Sequence, residues 1–254
     1  MPTDVMPTDV RSAVNPTPTP TSTQAPAPPP APEAGRLALL LMVALTLVTG
    51  VVDAVGFLGL DRVFTGNMTG NIVILGMGAA GADELPVLGP SLALVAFAGG
   101  ALVAGLALRG RARGWGTGVS VLLGAQTVVL VALTVALALV GKEPGTPAQL
   151  WIAAGTAAAM GSQAAVARRI GVPEMTTVVV TSTLTTLAAE SLPRGGLASF
   201  ANRRTAAILA IFLGALVGAA LVRATQLAVP MGLAALLSGA VTVAGHRRLR
   251  VRAA

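Results

Sequence analysis

The chain has 254 residues, 54% of them hydrophobic and only 11% charged, and its mean hydropathy is +0.79. A soluble domain carries about a quarter of its residues as charges to keep its surface wet, so this composition excludes a water-soluble fold. The net charge of +7 does not imply nucleic acid, because the basic residues fall in short clusters between apolar runs, as in the cytoplasmic loops of membrane proteins. Cysteine and tyrosine are absent and the one histidine is His246, in the basic tail. That inventory offers no disulfide, no thiolate, no cysteine metal site and no cofactor site, and it predicts a protein that is not an enzyme.

Residues 1–35 open with the duplication MPTDVMPTDV and continue PTPTPTSTQAPAPPPAP. This Pro- and Thr-rich stretch has no apolar periodicity and reads as a disordered or polyproline tail. It does not read as a signal peptide, since no apolar core precedes a small-residue cleavage site. Residues 36–246 read as a transmembrane domain and 247–254 as a basic cytoplasmic tail. Within that domain eight apolar segments follow one another, at 37–57, 63–80, 91–108, 118–140, 149–167, 174–190, 204–222 and 227–245. Most are long enough for a helix to cross a bilayer, and the fold class they predict is an all-α membrane protein.

Segments two and six differ from the rest. Both are short and polar: segment two holds TGNMTGN at 65–71, and seven of the fifteen residues in MTTVVVTSTLTTLAA, 175–189, are Ser or Thr. Each is second in a set of four, which predicts two repeats, 37–140 and 149–245. In the alignment Thr65, Gly66, Asn67, Thr69 and Gly70 fall on Thr181, Ser182, Thr183, Thr185 and Thr186. Short, interrupted segments at matching positions of two halves point to a transporter binding site.

Arginine placement predicts how the segments sit. If all eight span, the 17 Lys and Arg divide 10 to 7 between the faces. If segments two and six enter and leave by one face, 14 lie inside, and only Arg62, Lys142 and Arg223 lie outside. The positive-inside rule prefers the second arrangement. It gives about six full transmembrane helices plus two short polar, re-entrant helices in two inverted repeats, with both termini cytoplasmic. A rival in which segment two spans, segment six does not, and the N-terminus is outside divides the charges 13 to 4 and breaks the repeat symmetry.

On a continuous helix, residues four apart lie over one another, so TGNMTGN makes three ridges: Thr65/Thr69, Gly66/Gly70 and Asn67/Asn71. Two compatible roles follow. Gly66 and Gly70 let helix backbones approach closely. Asn67 and Asn71, too costly to leave in hydrocarbon at roughly 2–7 kcal/mol each, bind a polar solute together with Thr65, Thr69, Thr181, Thr183 and Thr185. The N-terminal end of a re-entrant segment two also presents free N–H groups, a ready anion site. Asp53, the acidic residue inside segment one, is either a proton or cation coupling site or a structural group that pairs with Arg62 or caps segment two. Gln163 is its rough counterpart in segment five, and Gln126 reads as an interhelical hydrogen-bonding residue. Gly76, Gly78 and Gly81 fit a turn. The glycine faces at 155–161 and 214–218 serve packing within one chain or in a homo-oligomer. HRRLRVR, 246–252, reads as an anchor on anionic lipid.

The stretch VVDAVGFLGLDRVFTGNMTGNIVILG, 51–76, resembles the hallmark of the YoaK-like bacterial membrane proteins, a family of unknown function. TTVVVTSTLTTLA in the second half resembles it too, with Ser182 where the family usually has glycine. The resemblance covers roughly 37–245. It implies a multi-spanning architecture in the bacterial inner membrane and a role in carrying small molecules, with no substrate attached. The expected function is therefore a secondary transporter or permease for a small polar solute or ion. A passive channel and a non-transporting scaffold or sensor are the alternatives.

Overall fold

The computed structural model describes residues 32–82, 85–141, 144–171 and 203–249. Among the described residues the fold is all-helical, with seven helices: α1 (Pro32–Gly59), α2 (Met68–Ala79), α3 (Leu88–Ala107), α4 (Thr117–Val140), α5 (Thr146–Ile170), α6 (Arg203–Ala224) and α7 (Ala228–Arg248). Six are long and apolar enough to cross a bilayer, and only α2, with 12 residues, is too short. Segment six, 174–190, with its predicted site residues Thr181, Thr183 and Thr185, lies outside the described residues.

The long helices end where their sequences leave the apolar register. Pro147 occupies the first turn of α5, where a missing N–H removes nothing, and Gly171 closes that helix in the left-handed conformation (φ 71°). Gly141 ends α4 with a positive φ as well (93°), but with ψ at −159° it lies outside the left-handed helical region. In α1 the Thr46 and Thr49 hydroxyls donate back to the carbonyls of Met42 and Leu45 at 3.0 and 3.1 Å.

Two apolar clusters form the core, one toward each end of the bundle. The first gathers Val55, Leu60, Val63, Ala93, Leu137, Ile152, Leu227 and Ala228. These are the C-terminal ends of α1 and α4 and the N-terminal ends of α3, α5 and α7. The second gathers Leu41, Leu108, Trp115, Val119, Val166, Ala167 and Val241, with Ala207 of α6 against it. That end carries Arg36, the α3–α4 loop with Arg109, Arg111 and Arg113, and the last turns of α5 (Arg168, Arg169) and α7 (Arg247, Arg248). The Gly114 N–H in that loop donates to the Arg169 carbonyl at 3.1 Å. The opposite end carries Arg62 and Arg223.

Helix pairing has an internal two-fold. α1 runs parallel to α6: Gly50 meets the backbone at Ile211 and Gly214, and Gly218 meets Val51 and Ala54. α5 runs parallel to α3 in the same way, with Gly161 on the Phe97 carbonyl and Gly100 on Ala158. Side chains at these glycines would occupy their neighbour's backbone, so each crossing depends on small residues. Both glycine-rich faces thus pack within the chain. The partner of α1 in the symmetry is α5, and these are the central helices: 67% and 61% of their spans are buried, against 17% for α3 and for α6. α4 and α7 cross antiparallel on the axis, where Thr127 donates to Ser238 at 3.2 Å. Parallel pairs that start at opposite ends of the bundle make the repeats inverted.

Both flanks of α2 lie at one end of the bundle. Val63 touches Gly56 of α1 and Gly89 of α3, so α1 ends and α3 begins on the same face. This excludes the arrangement in which segment two spans. α5 ends and α6 begins together on the opposite, basic face.

Candidate functional site

Asp53 lies six residues before the end of α1, about 9 Å along the axis at 1.5 Å per residue. After Gly59 the chain reverses through Asp61 and Arg62, consecutive non-glycine residues with φ of 59° and 55°. Such conformations cost energy unless the surroundings impose them. Here three contacts do. Gly56, which has no Cβ to block the path, lets the returning Val63 carbonyl lie against α1. The Phe57 and Phe64 rings stack with centroids 4.9 Å apart. Then Asp53 captures the loop: its Oδ1 accepts from the backbone N–H of Thr65 at 2.9 Å, Gly66 at 2.6 Å and Asn67 at 3.4 Å, and from the Thr65 hydroxyl at 3.5 Å.

The capture fixes where α2 starts. Asn67 is its N-cap, with Oδ1 accepting from Gly70 N–H at 3.2 Å. Asn71, fully buried, brackets the Phe64 peptide, accepting from its N–H at 2.9 Å and donating to its carbonyl at 2.6 Å. Gly66 abuts Thr49 of α1, and Gly70 abuts the Phe64 ring, each where a Cβ would come to 2.6 Å. The three ridges expected of TGNMTGN are therefore not formed. Residues 65–67 are not helical, because their N–H groups are spent on a carboxylate of α1 rather than aligned in a helix. The first and second TGN do different jobs: one is the loop that Asp53 holds, and the other is the first turn of α2.

This arrangement also places the remaining predicted residues. Asp53 caps the approach to α2, the structural role foreseen for it. The N–H groups expected to be free for an outside anion are occupied by it. Of the residues expected to contact solute, Asn67 and Thr69 line a cavity of about 740 Å³, together with Asp53, Thr49, Phe57, Phe64, Met68, Phe97 and Ile211. Thr65 and Asn71 are sealed behind them. Sequence reasoning missed the three phenylalanines. Phe57 and Phe64 both fall inside the DAVGF…FTGN hallmark, which was the signal available.

A second polar feature joins the halves. Gln163 of α5 donates to the Leu45 carbonyl at 3.2 Å and to the Thr49 hydroxyl at 3.1 Å. It accepts from Gln126 of α4 at 2.6 Å, the interhelical bond expected of that residue. Among the described residues Gln126 Oε1 is buried without a partner. Thr49 belongs both to this chain of amides and to the cavity wall.

Six apolar spans, inverted repeats and a half-helix held inside by a carboxylate define a multi-pass membrane protein of the inverted-repeat type. The chain belongs to the family described as "Protein of unknown function (DUF1275)", whose profile matches residues 41–244. It is similar to the UPF0700 transmembrane protein YoaK of Bacillus subtilis (strain 168), with 32% identity over 149 residues, 58% of this chain and 64% of that protein. The chain thus spans less than two thirds of that relative's length. No solved structure matches it.

Proposed function

We propose that this protein is a secondary transporter that moves a small polar solute or ion across the bacterial inner membrane, through the cavity between α1, α2, α3 and α6. The observation that carries this reading is α2, a half-helix whose N-terminal end stops inside the span at Asp53 and opens on that cavity. Broken helices that present backbone polar groups at depth are tolerated only where they line a cavity, and in inverted-repeat carriers they bind the cargo. Asn67 and Thr69 contact the solute. Asp53 is the coupling residue and also holds the loop, so its occupancy and the loop conformation are linked. Among the described residues Asp53 is the one buried ionisable side chain, which supports solute binding over bond-breaking chemistry. The basic end of the bundle faces the cytoplasm by the positive-inside rule, which puts the start of α1 and the end of α7 inside. Alternating access is rocking of one repeat against the other about the α4–α7 crossing.

The chain has no cysteine, so one introduced thiol reports cleanly. Val73→Cys, on the cavity wall, should be modified by a membrane-impermeant thiosulfonate in right-side-out and in inside-out vesicles alike. Planar bilayers should show no unitary conductance. Modification from one face only would overturn alternating access, and unitary currents would make the protein a channel.

A further inference from the structure

Resting on that reading, we infer that the cargo is an organic monocation, of the class of protonated or quaternary amines, held between the Asp53 carboxylate and an aromatic wall to which Phe57, Phe64 and Phe97 contribute. Among the described residues the cavity wall carries one carboxylate and no Lys, Arg or His. It also takes three of the five phenylalanines in the whole chain. Ring faces attract cations, most strongly where water is excluded. Carboxylate and rings together are the chemistry that recognises an alkylated ammonium group.

The charge balance decides the sign. The N-terminal end of α2 contributes roughly half a positive charge, while the carboxylate carries a full negative one, so the pair leaves the site negative. All hydrogen bonds that Asp53 receives from the described residues go to Oδ1, so none of these residues takes Oδ2. An anion would meet a carboxylate already sitting on the N–H groups it needs. A divalent metal ion lacks its usual set of oxygen donors, because no group of three acidic or His residues that could hold one occurs among the described residues. A cavity of about 740 Å³ is in the range of pockets for drug-sized ligands, roughly 300–1,000 Å³. A bare inorganic cation leaves most of that space, and all three rings, unused.

Three probes of nearly one shape separate the possibilities: trimethylphenylammonium, its neutral isostere tert-butylbenzene, and benzenesulfonate. Titrated into the purified full chain in detergent, trimethylphenylammonium should raise the melting temperature in a saturable way, and the other two should not. Phe57→Leu and Phe64→Leu should each weaken the cation by about 2- to 30-fold, and Asp53→Asn by more than about 10-fold. If Asp53→Asn is not recovered folded, the Phe57→Leu titration still decides, since Phe57 lies on the cavity wall and meets the loop through its ring stack on Phe64, leaving the Asp53 hydrogen bonds in place. Equal stabilisation by the neutral isostere, preference for benzenesulfonate, or indifference to both phenylalanine substitutions would each overturn the inference. Cation binding without two-sided labelling of Val73→Cys keeps the ligand class and removes the carrier. Two-sided labelling without cation preference does the reverse.

Discussion

α1 and α5 occupy the same place in their repeats and are the two most buried helices, yet they use polarity in opposite ways. α1 places a carboxylate where a returning loop of its own repeat can surround it with N–H groups twelve to fourteen residues away. α5 places an amide, Gln163, that reaches only helices of the other repeat, at Leu45, Thr49 and Gln126. A charge at depth needs dense, preorganised donors, which a local loop supplies. An amide is satisfied by single partners on rigid helices, so it can serve as a clamp between the halves. A symmetric backbone therefore does not impose symmetric chemistry. Among the described residues the first repeat supplies the carboxylate, its loop and all of the cavity wall but Ile211, and the second clamps it through Gln163.

Substitutions can break that contrast at graded depths. Asp53→Leu should have the largest effect, because three backbone N–H groups lose their acceptor at about 1–3 kcal/mol each. Thermal unfolding in detergent should show the greatest loss of stability in the series, and the 60–67 loop should become protease-sensitive. A melting temperature near that of wild type would mean the carboxylate does not organise the loop. Next come Gly50→Val and Gly161→Val, the equivalent crossings of the two repeats. Overpacking costs about 1–3 kcal/mol or more, and the two losses should agree closely. A large loss at one and none at the other would dissolve the two-fold.

Asn71→Ala should follow, at about 2 kcal/mol for leaving both polar groups of the Phe64 peptide unpaired. Asn67→Ala removes only a helix cap, worth about 1 kcal/mol, and should cost less stability while affecting the cavity more. The smallest effect belongs to the amide clamp. Gln163→Leu alone strands Gln126, whereas Gln126→Leu with Gln163→Leu removes both partners and should lie within about 1 kcal/mol of wild type. A double-mutant cycle gives the coupling energy. Strict additivity would show that the amide pair does not link the repeats.

The sequence made α2 legible as an odd segment and Asp53 as its neighbour in function, but not the division of labour inside TGNMTGN. Ridge spacing assumes a continuous helix from Thr65. The carboxylate that unwinds residues 65–67 belongs to a different helix, and no periodicity within the segment records it. Asn67 and Asn71 look alike in sequence because both are four-spaced amides beside glycine. They part company in space because the reversal at Asp61 and Arg62 brings the Phe64 peptide to one of them only. The phenylalanines were passed over because a scattered Phe in an apolar chain carries no spacing signal.

Hydropathy and the placement of arginine were enough, by themselves, to give six spans, a re-entrant second segment and inverted halves. Both are sums of one-residue preferences for oil or for a membrane face, so they survive without knowledge of contacts. Which acceptor takes which N–H, which glycine meets which backbone and which rings share a cavity were decided only by the tertiary structure. Those depend on distances of a few ångströms between residues far apart in the chain, and the same residue types at the same spacings are compatible with other pairings.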